Sequence, residues 1–258
     1  RRRHTRSLCD WSSDVCSSDL PSGRDWYDFM RALLTSWCFK QCDAHPCVFI
    51  RRVDDKYVVC GVYVDDFIAF ANDDDMWSDF TSRCTTHLRM DFDKLTHILG
   101  MEVDQTPAHV TCTNKAYIDS ITEVAFGDAP PPRVHIPADM DLPDVVLRAQ
   151  SAESTDLAPQ EHSLYRKLVG MLLFANTVRP DIAYAVGMLS RILAKPTREA
   201  LDAAKRVAAY LHHTKSLGLR YKRGTAFDLH GMSDADWAIR KSTSGYVIFL
   251  AKAAIAWL

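Results

Sequence analysis

The sequence predicts an α+β chain: antiparallel strands around a turn of two carboxylates, then a run of amphipathic helices, then a tail of short strands. Three observations predict it. The apolar run 58–64 halts at Asp65-Asp66 and resumes as Phe67-Ile68-Ala69-Phe70, the pattern of two strands joined by a tight turn. Between residues 161 and 218 apolar side chains recur at intervals of three and four, the helical period. Beyond residue 226 short apolar runs broken by polar residues restore the strand pattern. The 258 residues allow one to two domains, and 47% hydrophobic with 25% charged residues excludes wholesale disorder, collagen-like repeats and coiled-coil rods. The longest apolar runs fall far short of the roughly 20 residues a membrane span needs, so a soluble chain is expected.

Residues 1–20 show neither helical nor strand period and no apolar core of a signal peptide. Their stretch 10–20 is what a common short-read sequencing adapter encodes, and 1–6 is what its outer segment encodes. Residues 1–20 are therefore expected to be a disordered, adapter-derived addition to a reading frame that starts near Pro21. A transcript carrying these codons in a library made with other adapters would exclude that origin.

In the chain proper, Trp26, Phe29, Met30, Leu33, Leu34 and Trp37 mark an amphipathic helix. His45-Pro46 turns the chain into a short strand at 47–51, and Asp54-Asp55-Lys56 is a polar turn into the run 57–64. Asn72 to Asp75 close the second hairpin strand. Trp77, Phe80, Cys84 and Leu88 give a second helix, and 98–103 is expected as one strand. Pro130, Pro131, Pro132, Pro137 and Pro143 remove donors and fix φ too often for regular structure, so 127–160 is expected as a linker. Leu164, Leu168, Leu172 and Ala175 then form a helical stripe. Arg179-Pro180-Asp181 starts another helix, with Ile182, Val186, Leu189 and Leu193 buried. Thr197 caps a third that carries Leu201, Ala204, Ala208 and Leu211 and ends near Gly218. Strands are expected at 227–233, 245–250 and 253–258.

The net charge of −2 hides two opposed blocks. Residues 65–104 hold ten acidic and three basic side chains, and 189–224 hold nine basic and two acidic. The second block is the footprint of a surface that tracks phosphates, or equally of a solvated helix face. The eight cysteines show no repeated paired spacing, which suits reduced thiols. Cys38, Cys42, His45 and Cys47 lack the CxxC spacing of a structural zinc site.

Two adjacent carboxylates between apolar strands repel each other, and a bound cation relieves the repulsion. The plain alternative is a solvated Asp-Asp turn, to which the apolar strands on both sides are a counter-argument. In this setting Tyr63-Val64-Asp65-Asp66 resembles the catalytic hairpin of reverse transcriptases. Its surroundings, from residue 21 to 258, resemble the Pol polyprotein of copia-type LTR retrotransposons. The stretch Pro21-Ser22-Gly23-Arg24-Asp25-Trp26-Tyr27 resembles that family's SPRxWY, His45-Pro46-Cys47-Val48-Phe49 its DPCVF, and Ile98-Leu99-Gly100-Met101-Glu102-Val103 its FLGIEV. Residues 164–170 with 177–182 resemble YRxxVGxLLYLxxTRPDI, and Ala203-Ala204-Lys205-Arg206-Val207 with Tyr210-Leu211 resembles AAKRVLRYL. Ser233-Asp234-Ala235-Asp236-Trp237-Ala238 and Ser242-Thr243-Ser244-Gly245-Tyr246 resemble the start of the family's RNase H domain.

The resemblance implies part of a right-hand polymerase palm over 21–126 with the YVDD β-hairpin and a helical thumb and connection over 161–224. It also implies the first strands of an RNase H-like domain over 225–258. Asp65, Asp66 and Asp234 would be catalytic and would bind metal, Mg²⁺ or Mn²⁺. Tyr63 and Val64 would lie near the primer end, and Lys205 and Arg206 would contact substrate without reading bases. The partners would be an RNA/DNA primer-template and dNTPs, with no membrane, and the location the cytoplasm, within a virus-like particle, or the nucleus. Asp236 fits better as a solvated turn acid, and Trp237 and Trp257 as packing residues.

The pattern also breaks. A family polymerase needs a further Asp on a strand before the SPRxWY stretch, and an RNase H site needs later carboxylates, among them the Glu of an SSTEAEY segment. Only Ile239-Arg240-Lys241 stand between Ala238 and Ser242, where the family carries a longer spacer with Gly-Asp. The expectation is a polymerase fragment that is catalytically incomplete, the alternative being a non-catalytic nucleic-acid-binding remnant or pseudogene product. An unrelated Mg²⁺ phosphotransferase is disfavoured, since no GxxxxGK[ST] loop is present.

Overall fold

The computed structural model describes residues 5–6, 23–63, 66–88, 90, 92–151, 157–224, 228–235 and 243–258. They fall into two units, Arg1–Leu99 and Gly100–Leu258. The architecture is mixed α+β with antiparallel sheets, as the sequence predicts.

The first unit contains β1 (Thr5–Arg6), α1 (Gly23–Ser36), β2 (Lys40–Gln41), β3 (Val48–Val53), β4 (Lys56–Tyr63), β5 (Asp66–Ala71), α2 (Asp74–Leu88), β6 (Asp93–Lys94) and β7 (His97–Ile98). Its sheet runs β2-β3-β4-β5-β1-β6. Burial alternates along β4 and β5, so Val58, Cys60, Val62, Phe67 and Ala69 face the core. Phe80 of α2 is fully buried there, its ring 5.5 Å from Phe39 and 5.9 Å from Phe67. Burying each such ring contributes roughly 1.5–3 kcal/mol. Trp77, Phe80, Cys84 and Leu88 are buried, the stripe predicted for this helix. In α1, Met30 and Leu34 are buried, but Phe29 is exposed and stacks on Trp26 at 5.9 Å.

Three expectations need correction. Residues 1–20 were expected outside the fold, yet Thr5 and Arg6 pair with Ala69 and Ile68 of β5 and with Lys94 and Asp93 of β6. The open edge of β5 carries backbone donors and acceptors that any extended dipeptide can satisfy, whatever its sequence. The single strand expected at 98–103 is broken, because Leu99 and Gly100 take φ of 48° and 75°. Such a left-handed pair is a turn, which separates β7 from β8.

The third correction concerns the expected linker at 127–160. The second unit contains β8 (Met101–Gln105), β9 (His109–Thr113), α3 (Lys115–Phe126), α4 (Leu142–Ser151), α5 (Pro159–Ala175), a 3₁₀ turn (Pro180–Ile182), α6 (Ala183–Ser190), α7 (Arg198–His213), β10 (Leu219–Lys222), β11 (His230–Ala235), β12 (Ser244–Leu250) and β13 (Ala253–Trp257). Helix α4 thus lies within the Pro-rich stretch. Pro143 falls in its first turn, where the missing N–H costs nothing, and Leu142, Val145, Val146 and Ala149 are buried in the helical core.

That core is built from α3, α4, α5, α6 and α7. Tyr165, Leu168, Leu172 and Ala175 of α5 are fully buried. Thr197 caps α7 as expected, its Oγ1 accepting from Ala200 N at 3.3 Å. Strand β10, absent from the sequence reading, pairs with β9 in register Leu219↔Cys112 through Lys222↔His109. Strands β11, β12 and β13 form a separate antiparallel sheet, with Asp234 opposite Gly245. Residues 225–227, where the first tail strand was expected to begin, lie outside the described residues.

Candidate active site

The β4–β5 hairpin positions the predicted carboxylate. The β-branched and aromatic side chains Tyr57, Val58, Val59, Val62 and Tyr63 favour the extended chain of β4, and Val62 pairs with Phe67, Gly61 with Ile68. The outermost pair is Tyr63↔Asp66. Opposed residues share a face, and the period of two puts both on the side away from buried Val62 and Phe67. Tyr63 is 59% exposed and Asp66 half-buried. A carboxylate therefore stands beside an open phenol, on a hairpin whose opposite face is anchored in the core. Val64 and Asp65 lie outside the described residues.

Two other motif segments brace this hairpin. Val62 N donates to Cys47 O at 2.9 Å, and the Tyr27 hydroxyl donates to Pro46 O at 3.0 Å. The WY and HPCVF stretches thus meet, and the second is tied to the strand that leads to Tyr63.

Asp234, the carboxylate predicted in the second unit, is an exposed residue of β11 whose Oδ1 accepts from Ala235 N at 2.8 Å. It lines a groove of about 890 Å³ with Tyr184 and Arg191 on one side and Thr243 and Tyr246 on the other. Arg191 Nη2 lies 3.3 Å from Thr243 Oγ1. Asp236 and Trp237 lie outside the described residues. Trp257 packs as expected, donating from Nε1 to Asn176 Oδ1 at 3.3 Å.

The fit to a divalent cation is one of kind and not of number. Mg²⁺ takes oxygen ligands, commonly one or two protein carboxylates with water and substrate phosphates. Asp66 and Asp234 each offer one such carboxylate, but they belong to different units. Among the described residues no group of three His, Cys, Asp or Glu side chains could hold a metal ion. The described side chains therefore do not compose a two-metal site by themselves.

Lys205 and Arg206 sit on α7 in a setting unlike the one expected for substrate contacts. Arg206 pairs with Asp139 at 2.9 Å, and its buried Nε has no partner. The groove beside it, about 340 Å³, is also lined by Asp139, Asp141, Glu199 and Asp202. Half-buried Lys205 feels the carboxylate of Glu161, which is itself held below the usual range, chiefly by its hydrogen bond to Arg198. Along the rest of the basic block, Lys215 pairs with Asp119 at 2.9 Å, Arg220 contacts His109, and Arg223 contacts Gln105.

Two groups escaped the sequence reading. Arg179, only 1% exposed, forks onto Asp181 at 2.9 and 2.7 Å and also donates to Thr214. It belongs to the TRPD-like stretch, and only its burial identifies it as a structural ion pair. Arg166 and Lys167 project from α5 on the side opposite the buried Tyr165, Leu168, Val169 and Leu172. The helical period of that stripe was the available signal.

Known proteins resemble this chain over most of its length. Residues 21–134 match the family described as Reverse transcriptase (RNA-dependent DNA polymerase). The chain is 31% identical over 248 residues to the Retrovirus-related Pol polyprotein from transposon RE1 of Arabidopsis thaliana, an alignment covering 91% of this chain and 16% of that protein. It is 28% identical to the corresponding polyprotein from transposon RE2 of the same plant, with the same coverage. To that from transposon TNT 1-94 of Nicotiana tabacum it is 28% identical, over 91% of this chain and 18% of that protein. The chain thus spans about a sixth of the length of these relatives. No solved structure matches it significantly.

Proposed function

Because the chain belongs to the reverse transcriptase region of the copia-type retrotransposon Pol polyproteins, of which it is a part, we propose that its β4–β5 hairpin is the catalytic hairpin of an RNA-directed DNA polymerase palm. The family implies a divalent metal and a nucleic-acid template. In this reading Asp65 and Asp66 are the carboxylates that hold Mg²⁺, or Mn²⁺ in its place, and the ion when bound supplies charge stabilisation to phosphoryl transfer. Tyr63 and Val64 border the primer end, where the exposed phenol can pack on the terminal nucleotide. Residues 161–224 are the thumb and connection, and 225–258 begin an RNase H-like domain in which Asp234 is the first carboxylate.

The observation that carries the reading is the Tyr63↔Asp66 pair at the open end of a hairpin whose other face is locked in the core. It holds a carboxylate rigidly at a surface where a nucleic acid can reach it, as positioned catalysis requires. We expect the chain alone to be inactive, since it spans only about a sixth of the length of the polyproteins it matches.

The test uses two proteins. Residues 21–258 alone are expected to show no metal-dependent extension of a primer on an RNA template. The same residues, exchanged for the matching segment of the RE1 polyprotein, are expected to support RNA-templated DNA synthesis that Asp66→Asn abolishes. Synthesis by the chimera that survives Asp66→Asn would refute the palm assignment. Extension by the chain alone, lost in Asp65→Asn, would refute the claim of incompleteness.

A further inference from the structure

We infer that the outward face of α5, with Arg166 and Lys167 at its centre, is the surface that holds the phosphate backbone of a nucleic-acid duplex, in place of Lys205 and Arg206 on α7. The inference rests on the nucleic-acid reading above and assigns it to specific residues. It starts from helix geometry. At 3.6 residues per turn, His162, Ser163, Arg166, Lys167 and Gly170 lie within an arc of about 140°, opposite the buried stripe of α5. They line a groove of about 590 Å³ whose far wall is Leu193. His162 holds that wall in place, its Nε2 lying 3.0 Å from Leu193 O.

Charge decides between the two surfaces. No carboxylate lines the α5 groove among the described residues, and neither Arg166 nor Lys167 has an ion-pair partner among them. The groove beside Arg206 carries four carboxylates, and Arg206 is already bound to one. An incoming phosphate meets uncompensated positive charge at α5, whereas four carboxylates face a single arginine in the lining of the groove beside α7. Gly170 adds a steric reason, since it sits mid-arc with open space where a side chain would be. A sugar-phosphate backbone can approach the helix closely there. Ser163 supplies a neutral hydroxyl on the same face, suited to a phosphate oxygen.

The surface continues beyond the groove. Leu173 lines both it and the groove that contains Arg191 and Asp234. A backbone held at Arg166 and Lys167 is thereby directed along α5 toward Arg191, whose guanidinium lies 3.3 Å from the neutral Thr243 hydroxyl.

The experiment is fluorescence anisotropy of a labelled RNA–DNA hybrid with the full chain over a series of KCl concentrations, using two unrelated hybrid sequences. The wild type is expected to bind both alike, with log affinity falling linearly against log salt. Arg166→Gln/Lys167→Gln is expected to weaken binding and flatten that slope by about 2, since each phosphate contact contributes about 0.9. Arg166→Lys/Lys167→Arg should keep the slope, and the circular dichroism of both exposed-site variants should match the wild type. An unchanged slope in the Gln pair, or a loss seen instead in Lys205→Gln/Arg206→Gln, overturns the inference and leaves the polymerase reading standing. Failure of the wild type to bind either hybrid at low salt, with or without binding of polyglutamate, overturns both.

Discussion

Replacing Arg179 with Met tests whether the second unit is closed by a buried ion pair. Arg179 is 1% exposed and makes four hydrogen bonds: two to the Asp181 carboxylate, one to Thr214 O at 3.1 Å and one to Thr214 Oγ1 at 2.8 Å. Its guanidinium lies 5.4 Å from the Tyr210 ring, and the Tyr210 hydroxyl donates to Asp181 Oδ2 at 2.8 Å. Removing one partner of such a pair typically costs 3–5 kcal/mol. The Asp181 side chain is 35% exposed and regains some hydration, so the lower end, about 3 kcal/mol, is expected. For a unit of this size that is a fall in Tm of roughly 6–12 °C, to be read from urea and thermal unfolding followed by circular dichroism.

The pH dependence supplies an independent check. Burial pushes the Asp181 carboxyl up, but the Arg179 hydrogen bonds and charge, with the Tyr210 hydroxyl, outweigh it and hold the group below its usual value. A depressed folded pKa contributes stability above the unfolded value of about 3.9 and loses it as pH falls through the folded value. The gap between wild type and Arg179→Met should therefore be full near neutrality and shrink in acid. In a double-mutant cycle, Arg179→Met with Asp181→Leu should cost less than the sum of the single changes by at least about 1 kcal/mol. A loss under about 1 kcal/mol for Arg179→Met, or additive single changes, would refute the closure argument.

Two further perturbations follow from backbone geometry. A Cβ on Gly218 would overlap the Cys112 carbonyl oxygen and come within 2.8 Å of Thr113 Cγ2, so Gly218→Ala must push β10 off β9. It should destabilise by about 1–3 kcal/mol or more, and a urea midpoint equal to wild type would contradict the register. Thr197→Ala removes the α7 cap and should cost about 1 kcal/mol, with Thr197→Ser restoring most of it; equal losses in the two would show that the hydroxyl is not the capping group.

Much of this was legible in the sequence because the signals are local. The stripe Trp77, Phe80, Cys84 and Leu88 and the Thr197 cap require only the helical period and near neighbours, and both stand in the structure. The hairpin was legible for the same reason. Its register was not: a break at Asp65-Asp66 would oppose residue 64 to Phe67, whereas the structure pairs Val62 with Phe67 and Tyr63 with Asp66. Where local signals misled, a longer-range term outweighed them. The prolines of 127–160 argued against regular structure, yet burial of Leu142, Val145, Val146 and Ala149 stabilises α4 once Pro143 falls in its first turn.

The sequence by itself determined the family, the α+β class, the two-carboxylate hairpin and the helical stripes, because identity and period reside in neighbouring residues. Only the tertiary structure decided which charges are free. Arg220 lies beside His109 from 111 residues away, Arg179 closes onto Thr214 across 35, and Arg206 is taken by Asp139. A basic count along the chain sums charges without their partners. Coulomb interaction depends on separation in space, and folding brings distant carboxylates to the α7 cations while leaving Arg166 and Lys167 beside a groove that has none among the described residues.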